Sequence, residues 1–409
     1  MPALLNSHNN IRFRKKILHI LQLNNMENNR RNFFKKSASL AAAAAAMGGV
    51  GSAMASPEKL EAKAKGLKYS AQLAKDGGME FSLSIPDFDS PRIALAKQMA
   101  VFGAVNSVRT PPDGLKPWDP KAIQAVKEGW DKLGMKWNVV EGPPTLGEQT
   151  KLGLAGRDEE ISNFITFMKN LKQYGKVDTI CYNWMPVVSW FRSKLDTVGR
   201  GGALVTSFDY DDVKNLPATE YGQVSKETLW KNLEYFLKAV VPEAEKIGMN
   251  LSLHPDDPQV PSLKGISRIM TSVENFDRML NIVPSKYSGL TMCQGNFSLM
   301  GADIPALIRR WGKAGKINYV HFRNVRDLSG NKPSTKFEET FHDEGQIDMY
   351  AAMKAYYDIG YKGAIRPDHV PTMAGEENTR PGYMTIGTLF ALGYMRGLME
   401  SIQKNDKKA

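Results

Sequence analysis

Histidine is scarce in this chain and unevenly spread. Of six, His254, His321, His342 and His369 all follow Asn250, each at or beside a short apolar segment. Cys293 ends another such segment, and Asp368 stands next to His369. Imidazole, thiolate and carboxylate together make a donor set for a divalent first-row metal: iron(II), manganese or zinc. A thiolate argues against magnesium and calcium, which prefer all-oxygen shells. One buried histidine by itself is more often a satisfied core residue than a ligand, so the reading needs a fold that gathers His254, Cys293, His321 and Asp368. Asp256, Asp257, Arg323 and Arg366 flank these donors. Buried charges need partners, so the cluster implies a salt-bridge lattice or an anionic ligand. His342 completes the site or simply caps its strand, and its place beside the others favours the site.

The required fold is legible in the alternation of short β-branched or apolar runs with longer stretches of helical period. Candidate strands are Val101 to Val105, Trp137 to Glu141, Thr179 to Asn183, Leu251 to His254, Gly289 to Cys293, Tyr319 to Arg323, Phe337 to Phe341 and Ala364 to Asp368. Helices are expected at Ile123 to Leu133, Glu159 to Tyr174, Lys226 to Ile247, Val273 to Ile282, Ile304 to Ala314 and Asp348 to Tyr357, with a last one from Ile386 to Gln403. Eight βα units close into a (β/α)8 barrel, an α/β TIM-barrel fold whose C-terminal strand ends meet on one face. That face would collect the donors. Gly142 to Arg157 and Phe191 to Ser225 read as long loops covering it. Residues 98–409 then form one catalytic domain, preceded by an extension over 56–97.

At this point several motifs coincide. Cys181-Tyr182-Asn183-Trp184-Met185-Pro186, His254-Pro255-Asp256-Asp257-Pro258, Met292-Cys293-Gln294-Gly295, His321-Phe322-Arg323 and Arg366-Pro367-Asp368-His369 stand in the order seen in mannonate dehydratases, and the chain resembles that family from about residue 98 to 400. The resemblance implies a xylose isomerase-like barrel that dehydrates D-mannonate to 2-keto-3-deoxy-D-gluconate in glucuronate catabolism, with one iron(II) or manganese ion. It implies His254, Cys293, His321 and Asp368 as ligands, and His369 with Tyr383 of Arg380-Pro381-Gly382-Tyr383 as the acid/base pair. Asn183, Asp256, His342, Arg323 and Arg366 are then candidate contacts to a small anionic sugar acid. The chemistry asks for such groups. Taking a proton from the carbon beside a carboxylate needs a base in reach and a cation to stabilise developing charge, and expelling the neighbouring hydroxyl needs an acid. Which of His369 and Tyr383 is base stays open. The first half departs from the family pattern: Arg109-Thr110-Pro111 replaces a His-His pair, a histidine is missing between Gly142 and Lys151, and Ser189 stands where an acid is common. These changes touch the substrate more than the metal. A dehydratase, isomerase, epimerase or lyase acting on a different sugar is therefore the alternative; a non-catalytic binding barrel would have little reason to keep both the donors and the acid/base pair.

The N-terminus reads as an address. Arg30-Arg31-Asn32-Phe33-Phe34-Lys35-Lys36, the Ala/Gly run from Ala38 and the closing Ala53-Met54-Ala55 match a twin-arginine export signal. The competing reading is an Ala-rich helix packed on the barrel, but the run has no polar face. Residues 1–55 are thus expected to be a leader, with Met26 a candidate start, and the product to be periplasmic or exported. Seven of the +11 net charges precede Ser56, and the remaining +4 argues against a nucleic-acid partner. After the leader no run approaches the roughly 18 apolar residues of a membrane span. A homo-oligomer is compatible with the sequence, though no interface can be read from it. The two cysteines, Cys181 and Cys293, admit one disulfide, but Cys293 has the better role as a ligand.

Overall fold

The structure, a computed structural model, describes residues 78–109, 111–112 and 114–406. The leader and most of the expected extension lie outside the described residues. Eight parallel strands close a barrel: β1 (Glu80–Ser84), β2 (Gly103–Asn106), β3 (Lys136–Glu141), β4 (Thr179–Asn183), β5 (Asn250–His254), β6 (Ser288–Cys293), β7 (Ile317–Phe322) and β8 (Ala364–Pro367). Each strand pairs with its sequence neighbours, and β1 pairs with β8 to close the ring.

Two of these strands correct the sequence reading. The barrel opens with Glu80–Ser84, inside the stretch expected to be an extension, so the domain boundary at residue 98 is too late. Serines dilute this strand's apolar signal, yet its period of two buries Phe81 and Leu83. Conversely, Phe337 to Phe341 is not a barrel strand. No helix separates Phe322 from Lys336, and a parallel return needs a crossover. The chain turns back instead, and Lys336–Glu339 pairs antiparallel with Val325–Asp327 on one side and Leu204–Asp209 on the other. Lys194–Val198 completes this four-stranded side sheet. The long loop expected over 191–225 therefore holds two strands, one of them an exposed edge whose residues lack an apolar pattern. The side sheet packs on its own small core, which includes Phe208, Val260, Leu299, Val325 and Phe337.

The expected helices form, with ends displaced by a few residues. Lys226–Ile247, for example, starts where Ser225 accepts from the amide of Thr228 and stops at Gly248, in the left-handed region at φ 69°. Its buried Leu229, Leu233, Phe236, Leu237, Val240 and Ala244 recur at helical spacing. That face delivers the chain to β5 and hence to His254. Among the described residues no helix is long and apolar enough to cross a membrane.

Candidate active site

Strand register assembles the donors. On β6 and β7, Cys293 stands opposite His321; on β7 and β8, Phe322 stands opposite Pro367, which leaves Asp368 one step beyond the strand end. The ligand atoms of His254, Cys293 and His321 lie within 4.8 Å of one another. His254 Nε2 is 3.1 Å from His321 Nδ1, and Asp368 Oδ2 is 3.5 Å from that same Nδ1. His254 Nδ1–H donates to the Pro255 carbonyl at 2.7 Å, which leaves the Nε2 lone pair facing the cluster. Burial, with His321 second, lowers the pKa of His254 to about 3, so the imidazole stays neutral. Burial opposes ionisation of Asp368, yet His369, Arg366, His321 and Arg323 hold its carboxyl well below the usual range. Its Oδ1 accepts from Arg366 Nη1 at 2.7 Å, so Oδ2 remains for another partner. Burial pushes the Cys293 thiol up; only a cation beside it would make the thiolate favourable. Two imidazoles, a sulfur and an ionised carboxylate facing inward fit one divalent metal. Glu141, Cys181 and His321 form a second such group, but Glu141 is engaged by Arg366 at 2.9 and 3.2 Å and by the Tyr319 hydroxyl at 3.1 Å. The first set is therefore the freer one.

Beside these donors opens a cavity of about 130 Å³, lined in part by Glu141, Asn183, His254, His321, Asp368, His369 and Tyr383. His369 Nε2 lies 2.9 Å from Tyr383 Oη. Tyr383 reaches it because Gly382, at φ 82°, turns the chain back and its carbonyl accepts from Val370 N. Burial raises the Tyr383 pKa, with Asp368 adding to it, so the phenol keeps its proton. Trp190 covers the His369 ring edge-on, centroids 5.5 Å apart. Asn183 accepts from Lys151 Nζ at 3.2 Å and from Met185 N at 3.0 Å through its Oδ1, which turns its amide nitrogen to the remaining side.

Behind the cavity lies a buried lattice of charges. Arg192 grips both oxygens of Asp257, at 2.5 and 3.1 Å, and Glu339 Oε1 at 2.5 Å. Arg323 donates to Asp257, to Asn296 and to the same Glu339 oxygen. Burial alone would keep Glu339 and Asp257 protonated, but the two guanidinium groups overcome it and hold both carboxyls below their usual range.

Three residues expected at the substrate are elsewhere. Arg323 belongs to this lattice, since a fully buried guanidinium must be neutralised, and it does not line the cavity. Asp256 points away, its Oδ2 accepting the amides of Ile269 and Met270. His342 lies under the mouth, where Nε2–H donates to the Phe322 carbonyl at 2.6 Å. Arg366 does line the cavity, but its nitrogens are spent on Glu141, Asp368, Tyr319 and the Pro367 carbonyl. Both cysteines are free and buried; Cys181 Sγ is 3.2 Å from Thr291 Oγ1. Glu141, Trp190 and Glu339 were not legible as site residues. Glu141 ends an expected barrel strand, the position at which site residues collect; Glu339 lies in the run Phe337 to Phe341, whose apolar pattern points to the barrel although it pairs in the side sheet, and Trp190 arrives from the segment that leads into that sheet, which has no apolar period.

The profile of the D-mannonate dehydratase (UxuA) family matches residues 86–220 and 215–409. The chain belongs to the D-mannonate dehydratase family. The mannonate dehydratase of Streptococcus uberis is 35% identical over 331 residues, covering 75% of this chain and 92% of that protein. The crystal structure of mannonate dehydratase from Streptococcus suis superposes with a TM-score of 0.73 at 31% identity, covering 80% of this chain and 96% of that one. A xylose isomerase domain protein from Planctomyces limnophilus, 13% identical with a TM-score of 0.51, covers 80% of this chain and 98% of its own and shares the barrel. Among the departures from the family pattern, Ser189 lines the cavity, whereas Arg109 is exposed and does not.

Proposed function

We propose that this chain dehydrates D-mannonate to 2-keto-3-deoxy-D-gluconate and water, as a metal-dependent hydro-lyase. The observation that carries the reading is the convergence of His254, Cys293, His321 and Asp368 beside the hydrogen-bonded pair His369 and Tyr383. The four would hold one divalent ion, iron(II) or manganese, which when bound supplies positive charge for the substrate's carboxylate end and for the charge that develops there. His369 Nε2, with its lone pair toward the cavity, takes the proton from the carbon next to the carboxylate. Tyr383, kept as a phenol, gives a proton to the departing hydroxyl. Asn183 offers its amide to a sugar hydroxyl, and Trp190 shields His369 from water. Arg366 positions Asp368 and Glu141 rather than binding the acid itself.

The test is direct. The purified protein, reconstituted anaerobically with iron(II) or manganese, is expected to form a 2-keto-3-deoxy acid from D-mannonate, and Tyr383→Phe is expected to bind metal without turnover. Tight metal binding by the unaltered chain with no turnover of D-mannonate would overturn the substrate. Ser189 in the cavity wall supports that second reading, the same chemistry on a different sugar acid. Export by the twin-arginine leader is proposed on the sequence alone; cell fractionation of the full chain against an Arg30→Lys, Arg31→Lys variant tests it.

A further inference from the structure

We infer that Glu339 is the positioning residue of His369: its carboxylate takes the Nδ1–H and so turns the Nε2 lone pair toward Tyr383 and the cavity. The inference rests on the reading of His369 and Tyr383 as the proton-transfer pair. His369 Nδ1 lies 2.9 Å from Glu339 Oε1 and Nε2 lies 2.9 Å from Tyr383 Oη. A neutral imidazole carries one N–H, and a carboxylate only accepts, so Nδ1 is the donor and Nε2 the acceptor. Arg323 Nη1 also abuts Nδ1. A guanidinium cannot accept, so that contact by itself would demand the opposite tautomer; both donors are instead satisfied by converging on Oε1, to which Arg323 donates at 3.1 Å.

The way Glu339 spends its oxygens points the same way. Charge neutralisation alone favours a two-oxygen fork, as Asp257 makes with Arg192. Glu339 instead gives Oε1 to Arg192, Arg323 and His369, while its Oε2 is buried without a partner. His369 itself sits at φ 40°, a left-handed backbone that a residue other than glycine adopts only under constraint. Glu339 on one ring nitrogen and Tyr383 on the other supply that constraint. The side sheet, absent from a minimal barrel, is then the element that orients the base.

The experiment uses the full chain with 15N-labelled histidine, loaded with diamagnetic zinc, and the His369 signals are identified by their loss in His369→Asn. The wild-type ring is expected to be protonated at Nδ1 and bare at Nε2. Glu339→Met, which removes the acceptor and leaves only the Arg323 donor beside Nδ1, is expected to shift the proton to Nε2 and, with the native metal, to lower kcat by about 100-fold or more, with KM and metal content little changed. Glu339→Asp, which keeps the carboxylate, should hold the Nδ1–H tautomer and recover much of the loss. A wild-type ring protonated at Nε2, or Glu339→Met with unchanged tautomer and kcat, overturns the inference. The wild-type spectrum decides even where the variant fails to fold. If His369→Asn turns over normally, the acid/base reading itself fails; if it is inactive while Glu339→Met is normal, only the positioning role does.

Discussion

The two halves of the barrel divide the labour unequally. The strand ends of β5 to β8 carry all four candidate metal donors and His369, aligned by register within a few ångströms. The ends of β3 and β4 and the loops beyond them contribute Glu141, Gly142, Asn183, Ser189 and Trp190, which shape and brace the cavity. The positions that the sequence reading set apart from the expected family pattern, Arg109-Thr110, the segment 142–151 and Ser189, all fall in this first half. A site can vary its walls while keeping its reactive groups, because reaction chemistry fixes donor types and distances, whereas substrate fit tolerates many side chains. Arg192 joins the halves: it leaves the first-half loop to clamp Asp257 and Glu339 under the second half.

Breaking the second half should cost most. Cys293→Ser is expected to lower metal affinity by more than the about 10- to 100-fold typical of losing an outer partner, and turnover with it, as read by metal content after dialysis. His369→Asn should keep the metal and lose about 10²- to 10⁴-fold in kcat. Cutting the tie between halves comes next. Arg192→Met leaves two buried carboxylates short of a partner and should cost about 3–5 kcal/mol in denaturant unfolding; a loss below about 1 kcal/mol would show the halves to be independent.

A pH effect of intermediate size belongs to His342. Burial lowers its pKa from 6.5 to about 4, against the Phe322 carbonyl bond that raises it. Because the folded value is the lower one, the unfolded chain binds the proton first. Its contribution is intact above pH 6.5 and is lost as pH falls toward 4, by up to about 1.4 kcal/mol per pH unit. His342→Gln should flatten the stability–pH curve in that window. The smallest change is expected in the first half: Ser189→Asp places an acid in the cavity wall, as the family resemblance leads one to expect there, and should lower KM for D-mannonate by about tenfold, roughly 1.4 kcal/mol, with kcat nearly unchanged. An effect on kcat as large as that of His369→Asn would dissolve the distinction between the halves.

Local sequence determined seven of the eight barrel strands and the helices between them and supplied the candidate donors, since period, capping and strand-end position are properties of neighbouring residues. His254, Cys293, His321 and Asp368 could be named because barrel geometry brings strand ends together whatever the loops do. Tertiary structure alone decided the rest. Glu80–Ser84 closes the ring only by pairing with β8, far along the chain. Lys336–Glu339 left the barrel because its partner, Leu204–Asp209, lies more than a hundred residues earlier. Asp256 and Asp257 are adjacent and alike in sequence, yet one caps backbone amides and the other neutralises two arginines, since burial forces each carboxylate to whichever donors the fold places within reach. The same rule set Arg323 among carboxylates rather than at the substrate and put Glu339 against His369.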